Sequence, residues 1–308
     1  MRLAALCVVF ALAAGAQDSP KDKKKDPDQI GNRDVSKGIN FYSIDKEIAL
    51  GKVLAQQVRQ NATIIDDPII SEYVNRVAQN LARNSDAKVP LITQVIQDDS
   101  VNALSLPGGY FFVNTGLIET AETEAELAGG MAHEIAHIAA RHGTRQASRA
   151  QVTQMATIPL IFMGGWAGYG AQQAAGPLTA ISLLKFGQAF ENEADMLGLQ
   201  YLYKTGYDPN GMVDIFEKIE ALERRKPGKV SKFFSTHPPT GDRIVKVQKD
   251  IEEFLKSQPQ YVVTTSEFDQ VKARLAMLES RRKVSPPASD RPTLRRAPAK
   301  LTELAKSE

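Results

Sequence analysis

Between about residues 37 and 280, apolar positions recur mainly at helical spacing. Asp67-Pro68 is an N-cap followed by proline at the first helical position, and Ile69, Tyr73, Val74, Val77 and Leu81 then repeat along one face. Thr123 and Glu126 form a capping box. The helix they open runs through Leu127, Met131, Ile135 and Ile138 and is expected to stop at Gly143. Further helices are expected over about 184–205 up to Gly206, after Asp208-Pro209, from Thr240 toward Leu255, and behind a Ser266/Asp269 box. Strand signal lies between the first two helices. Residues 91–96 alternate loosely, and Tyr110-Phe111-Phe112-Val113 is aromatic and β-branched behind a Pro107-Gly108-Gly109 turn. The pattern predicts a mostly helical α+β domain with one small antiparallel sheet and no solenoid repeat.

The two ends of the chain lack this periodicity. Arg2, an apolar run from Leu3 to Ala14, and Ala14-Gly15-Ala16 read as a signal peptide over 1–16, with a mature chain from Gln17. Residues 17–36, with KDKKKDPDQ, read as a charged, solvated linker, and 37–280 as the folded domain. Residues 281–308 carry eight basic against three acidic residues and two proline-rich patches, and read as a basic disordered tail. A contact of that tail with anionic lipid or envelope polymer is the alternative.

Composition narrows the class. A net charge of +2 on 308 residues excludes a general nucleic-acid binder. The single cysteine, Cys7, lies inside the apolar leader, so neither a disulfide framework nor a Cys-rich zinc module is available. A mature chain without thiols suits an exported, periplasmic or other extracytoplasmic location, membrane-associated if the leader is retained.

His133-Glu134-Ile135-Ala136-His137 is H-E-x-x-H within the second helix. Residues i and i+4 share a helix face, so both imidazoles reach one Zn²⁺, while Glu134 stands beside them to take a proton. A third ligand is needed. An extended H-E-x-x-H-x-x-G-x-x-H is excluded, because those last positions hold Ala140 and Gly143. His142 is out of phase and is expected near the helix end, facing the dipole. A later helix offers Phe190-Glu191-Asn192-Glu193-Ala194-Asp195, with Glu191 and Asp195 on one face and Glu193 elsewhere. Glu191 is therefore expected to ligate, and Asp195 to accept the remaining N–H of a liganding histidine.

Three blocks carry a family resemblance. They are residues 102–117 with 122–143, then FENEADMLGLQYLYKTGYDP (190–209), then FSTHPPTGDRI (234–244). In that order they resemble the gluzincin zinc metallopeptidases of the BepA, HtpX, OMA and CAAX prenyl protease group, peptidase family M48. The resemblance extends over about 45–255 and implies a zincin-like fold. It departs from the integral-membrane members, since no long spans are evident. It departs from BepA-type proteins too, since only about 50 residues follow the third block. An exported stand-alone protease domain is thus expected.

The resemblance implies a zinc-dependent endopeptidase of unfolded or misassembled envelope proteins, with one zinc and Glu134 as general base. It also points to His237 and Arg243 as donors to the tetrahedral oxyanion. His237 has a second implied role, that of a latch filling the open zinc position in a resting state. The Tyr110–Val113 strand is expected to pair its free edge with an extended substrate. The uncharged stretch 150–184 reads as a lid or buried hairpin over the cleft, with a membrane-surface contact as the alternative. The rival class is a chaperone-like zinc-binding assembly factor with little or latent proteolysis.

Overall fold

Small polar residues start most of the helices. In this computed structural model, which describes residues 22–162, 186–225, 237 and 242–284, Ser43 caps α1 (Ile44–Asn61) by accepting from the Lys46 N–H. Asp67 caps α2 (Pro68–Arg83) by accepting from Ile70. Helix α1 has no counterpart in the sequence reading, because its buried set is only Glu47, Gly51, Leu54 and Ala55, too thin a stripe to stand out.

Three short strands follow: β1 (Ile92–Ile96), β2 (Ala103–Leu106) and β3 (Tyr110–Asn114), in the order β1-β3-β2. The Pro107–Gly109 turn returns the chain antiparallel to β2, with Ser105 opposite Phe111. Gly108 has φ +75°, and a Cβ there would stand 2.6 Å from the Ile48 Cα, so the turn needs glycine. Strand β3 inserts between its predecessors and runs parallel to β1, pairing Ile92 with Tyr110. The sheet is therefore mixed rather than wholly antiparallel.

Its central strand is buried on both faces. Phe111 and Val113 join the main core with Tyr73, Val77, Leu81 and Leu127, whereas Tyr110 and Phe112 meet Leu54 and Ala55 of α1. The expected free edge along Tyr110–Val113 does not exist, since both sides of β3 are paired. Among the described residues, the strand with an open side nearest the H-E-x-x-H helix is β2.

After α3 (Thr115–Thr120), the Thr123 hydroxyl accepts from Glu126 N and opens α4 (Glu124–Ala139). Every residue of α4 is buried, which makes it the central helix. It ends four residues before Gly143. Arg141 adopts a left-handed conformation, φ +56°, held by Glu47 at 2.6 Å and the Tyr42 carbonyl at 2.7 Å. Helix α5 (His142–Phe162) starts at once. Gly143 lies in its first turn, where a Cβ would stand 3.0 Å from Pro107 Cγ.

Helices α6 (Gln188–Lys204) and α7 (Asn210–Arg225) pack along α4, and α8 (Asp242–Phe254) packs against α6 and α7. Gly198 allows α6 its closest approach, because a Cβ there would lie 2.9 Å from both Ala132 O and His133 N. The last helix, α9 (Ser266–Val284), is capped by Thr265, which accepts from Phe268 N, and not by Ser266.

The stretch expected as a solvated linker is tied to the domain at particular residues, the first of them Lys24, which donates to Glu193. Arg33 binds Asp86 at 2.9 Å and Gln200 at 2.7 Å, and Val35 is buried. A charge-rich window gives no sign of such specific pairing, which depends on partners far along the chain. The leader, the stretch 163–185 and the tail beyond 284 lie outside the described residues. Among the described residues no helix is long and apolar enough to cross a membrane.

Candidate metal centre

Helix α4 sets His133 and His137 one turn apart on the same face, with their Nε2 atoms 3.2 Å apart. Helix α6 brings Glu191 to meet them, its oxygens 3.5 Å from His133 Nε2 and 3.6 Å from His137 Nε2. His237 arrives from the region between α7 and α8, with Nδ1 3.3 Å from His133 Nε2 and 3.0 Å from Glu191 Oε1. One donor atom from each of these four buried residues lies within 4.8 Å of all the others.

Three of these four were expected as metal ligands. His237, expected either as an oxyanion donor or as a latch in the open metal position, sits within the donor set itself. Its Nε2 reaches Glu134 Oε1 at 3.0 Å, so one ring touches both the cluster and the carboxylate meant for proton transfer.

Ring orientation is set from behind. His133 Nδ1 lies 2.9 Å from Asp195 Oδ1, the contact expected from the i, i+4 spacing of Glu191 and Asp195. Arg243 then binds Asp195 through Nε at 2.8 Å and Nη2 at 2.7 Å, and Glu191 through Nη1 at 3.0 Å. The guanidinium expected to meet an oxyanion is instead directed at two carboxylates. Phe216 packs edge-on to His133, ring centroids 5.6 Å apart, and Phe186 stacks on His137 at 4.2 Å.

Ser105 is a site residue that the sequence reading missed. Its N–H and hydroxyl both donate to Glu134 Oε2. The available signal was the short Ala103-Leu104-Ser105-Leu106 run before the Pro-Gly-Gly turn, which reads as the first half of a hairpin. His142 was misplaced. His142 opens α5 rather than closing α4, and its Nδ1 lies 2.9 Å from His137 Nδ1. Its Nε2 meets Glu193, which lies off the face shared by Glu191 and Asp195, as expected. The helix break at Arg141 rotates His142 back toward α4, and no periodicity of α4 reports that break.

The donor set suits a divalent cation. Glu134, Glu191 and Asp195 are buried carboxylates, and Arg243 pairs with Glu191 and Asp195. Imidazole nitrogen plus carboxylate is the chemistry of zinc-type sites. The local field is strongly negative. Burial alone would lower the His237 pKa, yet Glu134 and Glu191 raise it to about 10. Burial, only partly opposed by Glu191, holds the His137 imidazole well below its usual range. A neutral imidazole with an available lone pair is what a metal requires.

A buried H-E-x-x-H helix facing a glutamate from a second helix, beside a small sheet edge, defines a metallopeptidase of the gluzincin type. The chain belongs to peptidase family M48, whose family model matches residues 68–251. It is similar to the beta-barrel assembly-enhancing protease of Yersinia pestis, 30% identical over 264 residues, covering 79% of this chain and 51% of the relative. The mitochondrial metalloendopeptidase OMA1 of Schizosaccharomyces pombe is 33% identical over 184 residues, 59% of this chain and 53% of that protein. Metalloprotease YcaL of Escherichia coli K12 is 23% identical over 219 residues, 69% of this chain and 84% of that protein. The chain thus spans about half the length of the first two relatives.

Proposed function

We propose that this chain is a zinc-dependent endopeptidase that cleaves unfolded or misassembled envelope proteins, with one zinc held by His133, His137 and Glu191. The observation that carries the reading is Glu134. It lies buried beside the donor cluster, is gripped by Ser105, and would have no purpose in a purely structural site.

Bound zinc supplies a lowered water pKa and polarisation of the scissile carbonyl. Glu134 takes the proton of the attacking water at its carboxylate and delivers it to the leaving amine. Ser105 keeps that carboxylate aimed at the cluster. Strand β2 carries Ser105, and its open side suits an extended substrate backbone, which gives sequence-tolerant binding. Asp195 and Arg243 hold His133 and Glu191 in place, so Arg243 acts behind the ligands rather than on the oxyanion.

His237 fits the latch reading better than the oxyanion role. With Nδ1 among the donor atoms and Nε2 on Glu134, it stands where substrate and attacking water must go. The same contact favours a second reading, a zinc-binding, chaperone-like assembly factor whose proteolysis is latent. The leader-like segment and the similarity to a beta-barrel assembly-enhancing protease support an exported, periplasmic setting.

The test is hydrolysis of casein or another unfolded protein by the chain from Gln17 onward. Cleavage that disappears with a chelator, returns with zinc and is absent in Glu134→Gln supports the endopeptidase. Zinc binding without cleavage, in wild type and in His237→Ala alike, would leave the assembly factor as the function.

A further inference from the structure

We propose that His142 and Glu193 position the metal ligand His137, fixing its ring and tautomer through a relay that begins at Lys24 in the amino-terminal segment. The inference rests on the reading of His137 as a ligand. Its Nε2 faces the donor cluster, so its proton must sit on Nδ1 if the Nε2 lone pair is to bind a metal. That Nδ1–H donates to His142 Nδ1 at 2.9 Å. His142 can accept there only if its own proton is on Nε2, and Nε2 lies 3.1 Å from Glu193 Oε2. The two rings are thus locked into one proton arrangement by a carboxylate two hydrogen bonds from the metal.

That carboxylate is itself held. Arg145 from α5 meets Glu193 Oε2 at 3.0 Å, and Lys24 from the amino-terminal segment meets Oε1 at 3.0 Å. The His142 ring is buried and stacks on Phe190 at 4.4 Å, with an interplanar angle of 25°. Arg145 and Arg149 cover the same phenyl ring at 4.7 and 4.1 Å. His142 therefore has little freedom to turn away from His137.

The two histidine ligands are oriented by different devices. His133 meets a carboxylate directly, Asp195 at 2.9 Å, and His137 meets one through an intervening imidazole. A neutral ring is a weaker acceptor than a carboxylate. The relay supplies orientation and tautomer while leaving His137 the less electron-rich ligand.

The experiment uses the chain from Gln17 onward, loaded with zinc and, separately, with Co²⁺. His142→Leu removes the acceptor and keeps an apolar volume. His142→Asn restores an amide oxygen near the Nδ1 position. Competition with a chromophoric chelator is expected to show zinc binding weakened roughly 10- to 100-fold in His142→Leu and largely restored in His142→Asn. In the Co²⁺ form, the exchangeable, paramagnetically shifted N–H signal of His137 should be lost or moved by His142→Leu while that of His133 stays. Equal zinc affinity in wild type and both variants would overturn the proposal. So would equal weakening in both variants with the His137 signal unmoved, because that is a packing effect. Wild-type protein that binds no stoichiometric metal would sink the ligand reading first, and this inference with it.

Discussion

Ser105 holds Glu134 through two donors, its backbone N–H at 3.1 Å and its hydroxyl at 2.7 Å, both on Oε2. The proposed general base is thereby tied to the edge of the sheet. Glu134→Gln keeps shape but cannot accept a proton. Casein hydrolysis should fall at least about 10²-fold, the typical worth of a general base, while metal content by elemental analysis stays at the wild-type level. Ser105→Ala leaves the backbone donor and should give a smaller loss, read as kcat on the same substrate.

His237 shares the donor set with His133, His137 and Glu191. As a latch, it should restrain activity. His237→Ala is expected to raise basal cleavage of unfolded protein. X-ray absorption of zinc-loaded resting wild type should show three imidazoles and one carboxylate, and that of the variant two imidazoles. A sharp loss of activity, together with two imidazoles in wild type, would restore the oxyanion role.

Asp195 and Arg243 form a bidentate pair with both side chains buried. Asp195→Ala should weaken zinc binding roughly 10- to 100-fold, measured by chelator competition. Arg243→Leu leaves two buried carboxylates without their cation. It should cost about 3–5 kcal/mol of stability in denaturant unfolding, typical of a broken buried pair. Arg243→Lys should not rescue it, since an ammonium cannot form the fork.

Tyr73, Tyr201 and Tyr207 have phenol pKa values raised above the ordinary 10.0, first by burial and then by the nearby carboxylates Glu124 or Asp86. A raised pKa in the folded state stabilises the protein fully below the unfolded value. That contribution is lost as pH climbs above about 10. Absorbance at 295 nm should therefore show tyrosinate in two phases. The exposed phenols should ionise first, and these three only in step with the loss of circular dichroism. A single phase complete before unfolding would contradict their burial.

The metal motif was legible because its geometry is local. His133, Glu134 and His137 lie within one turn of one helix, and helical repeat alone puts the two histidines on one face. Glu191 and Asp195 obeyed the same rule on α6. Capping at Asp67 and Thr123 was equally readable, since a cap needs only three or four neighbouring residues.

What sequence alone determined, then, is every feature governed by short-range periodicity: the helices with strong stripes, the H-E-x-x-H face and the paired acids. Tertiary structure decided whatever depends on where one element stops and another meets it. The Pro107–Gly109 turn folds β3 into the middle of the sheet, which takes the open edge from Tyr110–Val113 and leaves it to β2 with Ser105. Arg141, turned left-handed by Glu47 and Tyr42 from far upstream, swings His142 behind His137 instead of past the end of α4. Lys24 and Arg33 convert an apparent charged linker into a strap on α6 because their partners, Glu193, Gln200 and Asp86, lie more than fifty residues away. Such contacts form only once non-local packing has met the entropy of closing those long loops, and no periodicity in the chain reports them.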